Sequence, residues 1–241
     1  MKILLVESNL AAFLSAVYYA YYESSPDLIT SNCAIISLLD NVIEISADLV
    51  KARKVRKGIT EKAGYAAYKE ISDAYLSCDP AKEQKIYQYL QLLFKHGKAV
   101  FSMHHITEVI AFNDLIKKVR HEAHRMQGFL RFQEMSNGIF YCYFGTDNDI
   151  LELILPHFTS RFNCQQFVLH DIKRKKLAYY DGAQCHLLPA EEVTITLSDK
   201  EVLISGLWKE YFNNVAISDR ANSRLQTQFL PKKYRWFMNE F

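Results

Sequence analysis

The sequence predicts an α+β fold: an N-terminal mixed α/β and helical part, then an antiparallel hairpin–helix–hairpin sheet unit, then a C-terminal helical tail. Three observations lead there. A short apolar run, Ile3–Val6, leads straight into a helical pattern. The segment Phe112–Gln127 repeats its apolar residues at 3.6-residue spacing. Downstream, two strand pairs, the first closed by Asn137-Gly138, flank a further helical segment, which is the α+β arrangement.

In chain order, residues 3–6 read as a short buried strand, and Leu10–Tyr22 as a helix capped by Ser8 or Asn9. Ile43–Ala47 reads as a short strand. Thr60 reads as the start of another helix, with Glu61 in its first turn, where the helix dipole favours an acid. Leu76-Ser-Cys-Asp-Pro80 is a turn, and Lys82–Lys95 a helix ending at Gly97. The helix Phe112–Gln127 carries Phe112, Leu115, Ile116, Val119, Ala123 and Met126 on one face, and Gly128 is read as its stop. Phe129–Met135 and Ile139–Phe144 form the first hairpin, which places Arg131 on a strand. Asn148–Arg161 is a helix with an internal Pro156. Gln166–Lys173 and Leu177–Asp181 form the second hairpin, and a helix centred on Leu207–Asn213 precedes an aromatic, basic tail.

With 241 residues the chain is one large domain or two small ones. It is read as a single unit over 1–241 with a candidate sub-boundary near 76–82. Only 8 Gly and 5 Pro are present, which argues against long flexible linkers. Glu7 and Asn9 interrupt the N-terminal apolar run, so a signal peptide is not expected, and no apolar run of about eighteen residues is present for a membrane span. The cysteines, Cys33, Cys78, Cys142, Cys164 and Cys185, are odd in number and widely spaced. They form neither a zinc ribbon nor an iron–sulfur cradle, and they fit a reducing cytoplasm.

The net charge of +2 is too small to announce a nucleic-acid binder, but the charge is segregated. Lys2 is the only base in residues 1–50, whereas Lys51-Ala-Arg53-Lys54-Val-Arg56-Lys57 places five bases in seven positions. Opposite the apolar stripe of the helix at 112–127 lie Lys117, Lys118, His121, His124 and Arg125. Such a row is either a solvated helix face or a set of phosphate contacts. His121-Glu122-Ala123-His124 is one residue short of the metalloprotease spacing, and no metal is expected. Further on, Arg131, His157, Arg161, Asp171 and Arg174 could make a buried ion-pair network or an anion site. Arg131, Arg161 and Asp171 are expected to lie close together, with Arg125 or His124 at the rim. Asp171-Ile-Lys173 with Asp149 matches part of a common nuclease core by three residues only, which chance readily supplies. Nucleotide-binding, hydrolase and deaminase motifs are absent, and no cofactor is expected.

From about residue 112 onwards several spaced segments carry a resemblance. They are Val119-Arg-His-Glu122-Ala-His124-Arg125-Met-Gln-Gly128-Phe-Leu-Arg131-Phe132, then His157-Phe158-Thr-Ser-Arg161-Phe162. After them come His170-Asp171-Ile-Lys-Arg174 with Tyr180-Asp181, and Leu207-Trp208-Lys-Glu-Tyr211-Phe212. Arg220-Ala-Asn222-Ser-Arg-Leu-Gln226, Pro231-Lys-Lys-Tyr234 and Glu240 complete the series. In these the chain resembles a bacterial family of DNA metabolism proteins, a domain of unknown function linked to a radical-SAM protein. The first third matches less well, through Lys51-Ala-Arg53-Lys54-Val and Leu76-Ser77. It departs at Val6-Glu7-Ser8-Asn9-Leu10-Ala11-Ala12, where the family has a Tyr-Asp-Gly-Ser-Phe-Glu-Gly-like run.

The resemblance implies a role in DNA repair or modification beside a radical-SAM iron–sulfur protein, with a uracil-DNA-glycosylase-like protein as a further partner. The leading expectation is therefore a cytoplasmic DNA-binding or adaptor component. The alternative is an enzyme acting on nucleic acid or a nucleotide through a His/Arg/Asp pocket. The aromatics of the tail, Tyr234, Trp236 and Phe237, suit stacked bases or, equally, a helix that seals the core.

Overall fold

The computed structural model describes residues 1–191, 193–215 and 222–240. Arg220 and Ala221 of the resembling segments lie outside the described residues. The chain divides into two compact units, Met1–Arg120 and His121–Phe241. The turn at 76–82 lies inside the first of these, and the helices on its two sides pack on each other. Among the described residues no helix is long and apolar enough to cross a membrane.

In the first unit β1 (Lys2–Val6) is the middle strand of a three-stranded parallel sheet, between β2 (Leu28–Thr30) and β3 (Asn41–Ile45). The strand expected at Ile43–Ala47 thus begins two residues earlier, and β2, only three residues long, is an addition to the expected elements. Between β1 and β2 runs α1 (Leu10–Tyr22). Its cap is Asn9, whose side-chain oxygen accepts the Ala12 N–H at 2.8 Å. Ala12, Phe13, Ala16 and Val17 are fully buried in the core of this unit.

α2 spans Leu49–Ala63, so Thr60 lies in its last turns rather than at its start. The cap is Asp48, whose carboxylate accepts the N–H groups of Val50 at 2.8 Å and Lys51 at 3.1 Å. Thr60 instead turns its hydroxyl back onto the Arg56 carbonyl, the alternative open to a helical threonine. The basic run of 51–57 is therefore helical. Ala52, Val55, Ile59 and Ala63 form its buried stripe, and Arg53, Lys54, Arg56 and Lys57 face outward. Gly64, at φ +96°, turns the chain into α3 (Tyr65–Tyr75), a conformation glycine takes without a Cβ penalty. α4 (Lys82–His96) ends at Gly97 as expected.

α5 (Thr107–Phe129) starts five residues before the expected position, runs through the division between the units, and continues past Gly128. All six residues of its expected apolar face are buried. In the first unit, Tyr89 of α4 stacks on Phe112 at 3.7 Å between centroids.

The second unit is built on a five-stranded sheet in the order β4-β5-β6-β7-β8. These strands are β4 (Gln133–Glu134), β5 (Phe140–Phe144), β6 (Phe167–Asp171), β7 (Lys176–Tyr180) and β8 (Cys185–Pro189). Both expected hairpins are present, the first turning at Gly138 with φ +80°. The sheet is not wholly antiparallel, because β5 and β6 pair in parallel. The reason is α6 (Leu151–Arg161), which carries the chain back along the sheet as a crossover, so the second strand re-enters in the direction of the first. Leu151, Ile154 and Phe158 of α6 are buried, as are Cys142, Phe144, Phe167, Leu169 and Ala178 on one alternating face of the strands. α7 (Asp199–Val215), α8 (Ser223–Phe229) and a 3-10 turn at Lys232–Phe237 complete the unit.

Candidate functional site

Hydrogen bonding sorts the candidate residues into satisfied and open groups. Arg131, expected on a strand, lies instead in irregular chain between α5 and β4. There its guanidinium folds back over the end of its own helix. Nη1 donates to the carbonyls of Gly128 at 2.9 Å and Phe129 at 3.1 Å, two of the acceptors that a helix C-terminus leaves unpaired. Nε and Nη2 donate to Oε1 of Glu240 at 3.1 and 2.6 Å, and that carboxylate is buried. Arg131 is thus a tie between the end of α5 and the tail.

Asp171 and Arg174 form a second satisfied group. The Asp171 side chain is fully buried at the end of β6 and accepts Nη1 of Arg174 at 2.9 Å, with the backbone N–H groups of Lys173 and Arg174. Arg174 also donates to the carbonyls of Thr146 and Asp147. Lys173 pairs with Asp147 at 3.3 Å and Lys176 with Asp149 at 2.6 Å. The acids that matched part of a nuclease core are therefore held by bases. Among the described residues, no group of three His, Cys, Asp or Glu is placed to hold a metal ion.

The expected triad of Arg131, Arg161 and Asp171 does not form. Arg161 closes α6 just before β6 begins, whereas Asp171 is the last residue of β6. Four strand steps of about 3.3 Å separate the two ends by roughly 13 Å. Arg131 and Arg161 do come together, on the wall of one cavity of about 500 Å³. Its apolar lining includes Leu130, Phe132, Phe140, Phe158, Phe162 and Trp208, and its polar lining includes Gln127, Glu201, Ser205 and Asn239. Phe132 is the centre of the aromatic wall, with ring centroids 5.1 Å from Phe158 and 4.8 Å from Phe162. The buried Glu201 carboxylate takes the Ser205 hydroxyl at 2.6 Å and the Glu134 N–H at 3.1 Å.

The remaining candidates lack acidic partners among the described residues. Lys117, His121 and His124 on α5 are exposed, Arg125 is half-buried, and Arg161 is exposed. Arg161 lies 6.0 Å from the Phe162 ring, at the edge of cation–π range. Not every base on α5 is open: in the first unit Arg120 donates to buried Asp73 at 2.9 and 2.7 Å. His157 is half-buried on α6, and its Nε2 is buried without a partner.

Sequence reasoning missed a polar hub. Glu122, buried between the open residues of α5, accepts the Asp147 N–H at 3.1 Å and both the backbone and side-chain nitrogens of Asn148 at 2.8 and 2.6 Å. It also accepts the hydroxyl of Tyr234. Burial, with Glu122 beside it, pushes the Tyr234 phenol up to about 12. Lys233 pairs with Asp147 and holds that carboxyl below its usual range. Tyr234, Phe237 and Met238 are buried, so this part of the tail seals the unit, while Trp236 is half-exposed and packs beside Gly145 and Tyr143. Tyr141 and His170 form a further buried pair at 2.7 Å, and burial lowers the His170 pKa. The buried Cys142 thiol is pushed well above its ordinary range, which removes it as a ready nucleophile.

No curated protein matches the chain. A family pattern described as a domain of unknown function, DUF4130, matches residues 80–240, well over half of the sequence. The arginine-walled cavity, the Glu122 hub and all of α5 fall within the matched span. The chain belongs to this family, the DUF4130 domain of unknown function.

Proposed function

We propose that this chain is a DNA-binding component that presents DNA to a separate catalytic partner. By the resemblance of its sequence, that partner is a radical-SAM iron–sulfur protein engaged in DNA repair or modification. One observation carries the reading: its bases fall into two sets. Arg120, Arg131 and Arg174 are used up by Asp73, Glu240 and Asp171. In the second unit His121, His124, Arg125 and Arg161 keep their donors free of acids among the described residues. Open cationic donors on a protein of near-neutral net charge suit local neutralisation of phosphates.

The test is fluorescence anisotropy of a labelled short DNA as salt is raised between about 50 and 200 mM, where counterion release governs affinity. Arg125→Ala with Arg161→Ala should weaken binding and lower the log–log salt slope by about 2, because two phosphates are then left without their cations. Arg174→Ala, which removes a satisfied base, should leave the slope unchanged in whatever fraction folds. Absence of binding at low salt would refute the reading.

A further inference from the structure

We infer that the cavity walled by Arg161, Phe132, Phe162 and Trp208 receives a single nucleotide drawn out of a DNA strand. This assigns the place where a base is held, and it rests on the DNA-binding reading above.

Three features support it. The first is size: about 500 Å³ lies within the range of roughly 300–1,000 Å³ typical of pockets for small molecules, which suits one nucleotide. The second is the wall. Phe132 and Phe162 line the cavity, and so does Trp208 of α7, which remains 41% exposed. Trp208 is stacked on Tyr211 at 5.7 Å and tilted by 29°, which backs its ring on one side. Every base has a π-face, and stacking on such a ring is tolerant of sequence.

The third feature is the polar complement. Arg161 supplies a guanidinium without an acidic partner among the described residues at the cavity wall, which suits the phosphate that a nucleotide brings with it. The Gln127 side chain makes no hydrogen bond among the described residues, and that of Asn239 makes only a long one of 3.5 Å to Ser205. Each amide offers both a donor and an acceptor, the combination that matches the hydrogen-bonding edge of a base. Glu201 is already held by Ser205 and the Glu134 N–H, so it fixes the wall rather than reaching for a ligand. Arg131 lines the same cavity, but its guanidinium is committed to Glu240 and the end of α5.

A pocket that holds an extruded base binds best where leaving the stack costs least. The experiment compares a matched duplex, the same duplex with one central mismatch, and the single strand, all by anisotropy at one salt concentration. The mismatched duplex should bind about tenfold more tightly than the matched one, because a mispaired base gives up less pairing and stacking when it leaves the duplex. Trp208→Ala should abolish that preference while general, salt-dependent binding persists. In a second arm dAMP should compete with the mismatched duplex, whereas inorganic phosphate at equal ionic strength should not. Equal affinity for matched and mismatched duplexes, or a preference that survives Trp208→Ala, would overturn the inference and leave the DNA-binding reading standing. Absence of binding to all three DNAs would overturn both. Trp208 is part-exposed and stands on the cavity wall outside the buried core, so a melting curve of Trp208→Ala close to that of the wild type provides the folded control.

Discussion

Replacing Arg131 by alanine separates a structural arginine from a ligand-facing one on the same cavity. The substitution removes two hydrogen bonds to Glu240 Oε1, at 3.1 and 2.6 Å, and two good bonds to the last carbonyls of α5. It also strands the Glu240 carboxylate, whose side chain is 4% exposed, without a cation. Breaking a buried ion pair from one side costs about 3–5 kcal/mol. Arg131 is itself 30% exposed, so solvent screening reduces this to about 2–3 kcal/mol. Arg161→Ala removes an exposed, unpaired cation and should change stability by about 0.5 kcal/mol or less. Urea denaturation followed by tryptophan fluorescence is the suitable assay, because both tryptophans, Trp208 and Trp236, belong to the second unit. Arg131→Ala should lower the unfolding midpoint clearly and Arg161→Ala hardly at all. Arg131→Ala with Glu240→Ala should be less damaging than the sum of the two single changes, since no charge is then left stranded. A loss below about 0.5 kcal/mol for Arg131→Ala, or equal losses at Arg131 and Arg161, would refute the division into satisfied and open bases.

Further predictions concern the interior of the second unit. Glu122→Gln replaces the acceptor of four donors with a group that carries donors of its own, and should cost about 3 kcal/mol in the same denaturation assay. Tyr234→Phe removes one of those donors and should cost about 1–2 kcal/mol. His170 is held below its ordinary pKa by burial, opposed by the Ala190 carbonyl and Asp171. The unfolded chain therefore takes up a proton before the folded one does, and stability should fall as pH drops below about 6.5 towards the folded value. His170→Phe should remove that part of the pH dependence, and an unchanged slope would show that His170 does not cause it.

Much of this architecture is legible in the sequence because local chemistry dictates it. Asn9 caps α1, Gly97 ends α4 and Asn137-Gly138 turns the first hairpin, each through its own backbone or side-chain geometry. The errors arise where a local signal competes with a longer-range one. In α2 the dense bases hide the stripe of Ala52, Val55 and Ile59, and Thr60 imitates a start that Asp48 provides. Gly128 marks the end of α5 to within one residue, but the tie of Arg131 to Glu240 that closes this end has no local signal. β8 is exposed at every position and so lacks the alternation that marks a strand. β5 and β6 run parallel because α6 crosses over, and turn signals alone do not distinguish that from two separate hairpins.

The site is legible only in part. The open row on α5 follows from helical spacing, and Arg161 can be named from its charge. The partners of Arg131 and Glu122 cannot, since Glu240 and Tyr234 lie 109 and 112 residues away in the chain. Trp208 stands among the resembling residues without a role, and Gln127 and Asn239 give no sequence signal. Only the fold brings them to one cavity.

The most direct test of DNA binding through the open bases is the salt dependence of affinity for the wild type, for Arg125→Ala with Arg161→Ala, and for Arg131→Ala. The wild type should show a steep slope, the first variant a slope shallower by about 2, and folded Arg131→Ala a slope equal to that of the wild type. A wild type that does not bind DNA at low salt, or a slope that falls on loss of Arg131 but not of Arg125 and Arg161, would contradict it.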